Sequence, residues 1–196
     1  MIPAYRFVAN KEISQADWEY ARRSGITATE VSKAATPAGF NEVVLRYSHP
    51  EPVSDNAYMQ FGREWEKPVA MILKEWYDIM PNDWLIAGVD DRDLATPDGL
   101  SLDHRLIAEI KTTGKDWDTI PIGYRRQVQW QLHVTGADAC VFAWLLRGES
   151  TNAAGERIFV PAWFEPKLTI IERDEKMIED LLDVASRLWE IKRMEK

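Results

Sequence analysis

The spacing of hydrophobic residues changes midway along this chain, and that change limits what it can fold into. In "NAYMQFGREWEKPVAMILKEWYD" (56–78), Tyr58, Phe61, Trp65, Val69, Ile72, Leu73 and Trp76 recur every three or four positions, the period of a helix with one buried face. Asp55 is a plausible N-cap for this helix, and Pro68 predicts a kink or a break in it. After "MPND" (80–83) the pattern becomes extended. "WLIAGVD", "DLATPDG" and "RLIAEIKTT" read as three strands of a meander.

The flanks complete the order. "QADWEYARRSG" reads as a short helix ending near Gly25, and "TATEVSKAAT" offers Thr27 and Glu30 as a capping box for the next. "IGYRRQVQWQLHVTG" is a helix stopped by Gly136. "ADACVFAWLLRG", "ERIFVPAWFE" and "KLTIIE" read as strands, and Met177, Ile178, Leu181, Leu182, Ala185, Leu188 and Trp189 mark a final amphipathic helix. The expected fold is α/β (α+β): one domain over residues 1–196, with a central mixed sheet flanked by helices.

Within this frame, "TPDGLSLDHRLIAEIKTT" (96–113) places acids where a sheet normally buries aliphatics. Glu109 and Lys111 share one face of their strand, about 7 Å apart. Asp98 lies in a Pro-Asp-Gly bend that a short turn brings opposite Glu109. Two converging carboxylates repel unless a cation neutralises them, and hard divalent ions favour such oxygens. Asp98, Glu109 and the backbone carbonyl of Ile110 are therefore candidate ligands for magnesium, or manganese as a substitute. Glu66, on the long helix, is the natural further ligand, and Gly62 lets a neighbouring backbone approach there. Lys111 beside the ion can hold the attacking water or stabilise phosphate charge. The plainer alternatives are a surface Glu–Lys pair and a solvated Glu66. Asp90, Asp91 and Asp93 read as a solubilised turn.

Other classes are disfavoured. The net charge of −8 argues against a protein that simply coats nucleic acid, but not against an enzyme with a local basic groove. A single cysteine, Cys140, rules out an internal disulfide and points to a reducing compartment. His49, His104 and His133 lack zinc-hydrolase spacing, and no phosphate loop for an ATP motor is present. With no signal pattern and no long apolar run, a cytoplasmic protein with no membrane contact is expected.

"RRSGITATE", "FGREWEKP", "TPDGL…EIK" and "YRRQVQWQLHVTG" together resemble, in order, the blocks of the lambda exonuclease (YqaJ-type) family of phage recombination nucleases, within the PD-(D/E)xK superfamily. The resemblance implies a restriction-endonuclease-like core and a magnesium-dependent enzyme, using two ions, that digests one strand of linear double-stranded DNA from a 5′-phosphorylated end. It also implies a homotrimeric ring, 3′ single-stranded overhangs, a single-strand annealing partner, and phage or prophage origin in a bacterial host. Carried over by position, Asp98 and Glu109 match metal ligands, Glu66 a second metal site, Lys111 the catalytic lysine and Gln127 the active-site glutamine. Tyr124 and Gln131 share the face of Gln127. Arg22 and Thr29 match the holders of the terminal phosphate, with Thr27 opening the same helix. Arg125 and Arg126 either line the DNA or face solvent. The family's extra upstream acid falls at Asp90 or Asp91. An endonuclease of the same superfamily and a non-catalytic DNA-end-binding module are the alternatives.

Overall fold

The computed structural model describes residues 5–50 and 54–194. Strand β1 (Arg6–Asn10) leads into helix α1 (Gln15–Arg23), capped by the Ser14 hydroxyl, which accepts from the Asp17 N–H at 3.2 Å. Strand β2 (Ile26–Thr27) runs into α2 (Ala28–Ala34), where the expected capping box forms between Thr27 and Glu30. Helix α3 (Pro37–Ser48) follows, unanticipated by apolar period but announced by Thr36 as N-cap and a proline in its first turn.

The long helix α4 (Ala57–Tyr77) is capped by Asn56, whose side chain accepts from the Tyr58 and Met59 N–H groups, not by Asp55. Asp55 instead pairs with Arg63 at 2.7 Å. Pro68 does not divide the helix, which runs unbroken through it. Its apolar face, through Phe61, Val69 and Leu73, packs on a sheet, and that tertiary contact outweighs the missing donor.

The expected meander splits between two sheets. Strands β3 (Ile79–Pro81), β4 (Trp84–Ala87) and β5 (Asp93–Ala95) precede β6 (Gly99–Ser101) and β7 (Leu106–Thr113). A four-stranded sheet has the order β1-β4-β5-β2, with β2 and β5 parallel. The chain then crosses at Thr96–Asp98 into a second sheet, because Pro97 has no N–H with which to continue the first ladder. Helix α5 (Ile122–Thr135), β8 (Ala139–Thr151), β9 (Arg157–Pro161), β10 (Lys167–Glu172) and α6 (Glu175–Met194) complete the chain. The second sheet has the order β10-β8-β7-β6-β3, with β9 pairing to β8 and with β7 and β8 parallel.

Alternation along β7 assigns its faces. Ala108 and Ile110 pack towards α4, whereas Ile107 packs with Val128 and Leu132 of α5. Helix α5 is buried along its C-terminal half, which lies between the two sheets. Polar groups on it find partners on both sides. Trp130 donates to the Leu94 carbonyl at 3.2 Å, His133 meets Asp93 at 2.9 Å, and Gln129 donates to the Glu172 carbonyl at 2.8 Å. Among the described residues no helix is long and apolar enough to cross a membrane.

Candidate active site

The crossover between the sheets holds the Pro-Asp-Gly acid. The Asp98 N–H donates to the Ala108 carbonyl at 2.9 Å, and its carboxylate accepts from the Ile110 N–H at 2.6 Å. Asn82, between β3 and β4, fastens the bend from the other side. Its amide nitrogen donates to the Pro97 carbonyl at 2.8 Å, and its N–H donates to the Asp98 carbonyl at 3.0 Å. Asp98 is therefore tied to β7 at the strand position beside Glu109.

Glu109 faces α5, as strand alternation requires, and is 2% exposed. Gln127 donates to one of its oxygens at 2.6 Å and Gln131 to the other at 2.7 Å. Lys111, two residues along the same face, forms an ion pair with it. Its ammonium also lies 5.5 Å from the centre of the Tyr124 ring. Tyr124, Gln127 and Gln131 thus occupy one face of α5 at helical spacing.

Electrostatics follow from this crowding. Burial and the charge of Glu109 push the Asp98 carboxyl well above the ordinary range, with Glu66 adding to the effect against Lys111 and the Ile110 N–H. Burial alone would pull Lys111 down, but Glu109 and Asp98 outweigh it and its net shift is upward. Glu66 sits on an accessible rim, yet its carboxyl is also raised, by burial first and then by the opposing influences of Lys11, Asp83, Lys111 and Glu109.

One cleft of about 200 Å³ joins two sets of residues expected to act together. Glu66, Asp98, Gln127 and Gln131 line it, as do Arg22, Thr27 and Thr29. Arg22 stacks on Trp18, its guanidinium 4.5 Å from the ring centre, and burial lowers its pKa against the pull of Glu30 and Glu19. The Thr27 hydroxyl is engaged with Glu30, accepting from its N–H and donating to its carboxylate at 2.8 Å. Thr27 therefore fixes α2 rather than offering a free donor, while Thr29 faces the cleft.

Some expectations change. Arg125 is exposed and does not line the cleft. Asp90 pairs with Arg92, Asp91 with Arg6 and Asp93 with His133, so none of the three serves the cleft. The upstream acid that does line it is Asp83, beside Lys11 and Asn82. The only sequence trace of these three was a polar turn and a lone basic residue.

The donor set suits a hard cation in its chemistry. The raised acids Asp98 and Glu66 would be relieved by positive charge, and the buried Gln131 Oε1 has no hydrogen-bond partner. Both Glu109 oxygens already accept from neighbours. Among the described residues, no three or more His, Cys, Asp or Glu side chains are gathered as a ready-made metal cage. Any ion would accordingly share its shell with waters or a phosphate, as magnesium commonly does.

Residues 17–138 match the model of the YqaJ-like viral recombinase domain. Among solved structures, the alkaline exonuclease LHK-Exo from Laribacter hongkongensis is 23% identical, with a TM-score of 0.65, over 92% of this chain and 94% of that one. The same exonuclease in complex with dAMP is 24% identical with a TM-score of 0.66 over the same shares. A phage related exonuclease from Haemophilus somnus 129PT is 14% identical, with a TM-score of 0.67, over 86% of this chain and 93% of that one. No curated protein matches.

Proposed function

This chain belongs to the YqaJ-like viral recombinase domain family, and from that membership we propose that it is a metal-dependent exonuclease. It digests one strand of linear double-stranded DNA in the 5′-to-3′ direction, leaving a 3′ overhang for single-strand annealing recombination. The observation that carries this reading is the shared cleft, in which three acids and two glutamines meet Arg22 and Thr29.

Asp98, Glu109 and the Ile110 carbonyl are the groups that would hold magnesium, or manganese in its place, with Glu66 serving a second ion. When bound, such an ion supplies Lewis acidity that polarises the phosphodiester and makes water a better nucleophile. Glu109 and Asp98 favour the charged form of Lys111, and as an ammonium it would neutralise phosphate oxygens. Gln127 and Gln131 hold Glu109 in orientation. Arg22, stiffened against Trp18, presents a fork suited to a dianionic terminal phosphate, with the Thr29 hydroxyl as a second donor. Each cut exposes a new 5′-phosphate that is drawn to the same pair, advancing the duplex.

The test is digestion of a linear duplex labelled differently at its two 5′ and two 3′ ends, with magnesium and with EDTA. Loss of 5′ label first, in magnesium only, is expected. Loss of 3′ label first, or equal cutting of covalently closed circles, would overturn the polarity or the exonuclease assignment.

A further inference from the structure

Arg147 projects from β8 one residue past the end of its parallel pairing with β7, where Thr113 faces Leu146. Its guanidinium carbon lies 4.3 Å from the centre of the Tyr58 ring and 4.9 Å from that of Phe159. Those two rings stack on each other at 5.0 Å and 25°, so helix α4 and strand β9 together hold the arginine. Gly114 leaves room for it, because a Cβ there would stand 3.1 Å from its terminal nitrogen.

Most exposed arginines on this protein are held by acids. Arg6, Arg63, Arg92, Arg105 and Arg157 each meet a carboxylate. Among the described residues no carboxylate lies within ion-pair distance of Arg147, which rests on aromatic faces instead. An arginine kept in place by rings but not neutralised is preorganised for an external anion.

Its position identifies the anion. Arg147 lines a cavity of about 340 Å³ together with Lys111, Glu66 and Ile110. It also lines a broader groove of about 740 Å³ that includes Gln127, Tyr124, Trp117, Lys115 and Lys33. Arg22 lies in the cleft reached from Glu66 and Gln127, Thr29 lines both that cleft and the broader groove, and Arg147 lies on the Lys111 side of Glu66. For a strand whose 5′ end is held by Arg22 and whose reacting phosphate meets Lys111, the groove beyond Lys111 leads to Arg147.

We propose that Arg147 is a DNA-positioning residue that grips a backbone phosphate of the cut strand on the 3′ side of the bond being broken. The inference rests on the nuclease reading and adds to it a downstream phosphate subsite. Because the contact is to phosphate, it adds affinity without sequence preference.

The experiment compares wild type, Arg147→Ala and Arg147→Lys on a 5′-phosphorylated linear duplex and on a 5′-phosphorylated dinucleotide, which has no downstream phosphate. Duplex-end binding is measured in EDTA over a range of salt concentrations. Arg147→Ala should raise KM for the duplex about tenfold at unchanged kcat. It should also flatten the plot of log affinity against log salt by about 0.7–0.9, one phosphate contact. Cleavage of the dinucleotide should match wild type. Arg147→Lys, which keeps the charge but not the ring seating, should retain the wild-type slope with an intermediate KM. An unchanged slope and KM in Arg147→Ala, or an equal loss on the dinucleotide, would overturn the proposal. A wild type that binds ends but cuts nothing would instead refute the nuclease reading, and the salt slope would still decide Arg147.

Discussion

At the scale of single residues, the site trades stability for charge. A folded chain that raises the Asp98 carboxyl takes up a proton there more readily than the unfolded chain does. The stability cost is therefore absent below the unfolded value of about 4, and it grows as pH rises from there towards the raised value. Asp98→Asn keeps an acceptor for the Ile110 N–H and removes the charge. In EDTA at pH 7 it should melt higher than wild type by about 3 °C, with the advantage vanishing near pH 3. The same substitution should abolish cutting while leaving end binding intact. A melting temperature at or below that of wild type at pH 7 would mean that the Asp98 charge is not a burden on the fold. Arg22 makes a separate claim. If it reads the terminal phosphate, Arg22→Ala should erase the preference for 5′-phosphoryl over 5′-hydroxyl duplexes, a contact worth about 1.5–3 kcal/mol. Equal preference ratios for the two enzymes would remove it from that role.

Among elements, the acid-bearing strand and the helix across from it were legible because each follows one period. Alternation put Glu109 and Lys111 on one face, and helical spacing put Tyr124, Gln127 and Gln131 together; the ion pair and the two amide hydrogen bonds join those faces. What sequence did not expose were contacts set by topology. The chain changes sheet at Pro97, and Asn82 and Asp83 enter the site from a turn 15 residues earlier, with nothing local to mark them. Lys192 is another such contact. From the last turn of α6 its ammonium donates to the Gly25 carbonyl at 2.6 Å and to the Glu30 carboxylate at 3.1 Å. It thereby braces the capping box under α2, which carries Thr29, and the turn after Arg22. Lys192→Met fills similar volume but removes the ammonium paired with that carboxylate, so it should cost about 2 kcal/mol of stability. It should also narrow the discrimination between phosphorylated and hydroxyl ends. Denaturant unfolding and the end-preference ratio check the two halves separately, and a variant as stable as wild type would show that the brace contributes nothing.

For the whole molecule, charge and exposed apolar surface bear on how such a nuclease would stay on its track. On the nuclease reading, a chain of net charge −8 would repel DNA over much of its exterior, and attraction would fall to the cavities that hold Arg22, Lys111, Lys115 and Arg147. Attraction confined in this way favours falling off after each cut unless the duplex is enclosed. Phe7, Trp84, Trp163 and Phe164 are exposed aromatic side chains of the kind that subunit interfaces cover. A closed ring of three copies would supply the enclosure, and it predicts two linked results. Sedimentation at working concentration should give about 68 kDa, three times the 22.6 kDa chain. When digestion of a labelled duplex is under way and excess unlabelled duplex is added, most labelled molecules should still be digested to completion. Trp163→Glu, placed in an exposed aromatic outside the cleft, tests the link if that residue is in the interface. Conversion to a monomer should then abolish resistance to the competitor while leaving the rate of the first cut unchanged. A wild-type monomer that resists the competitor would show that the grip comes from the groove alone and that no ring is needed.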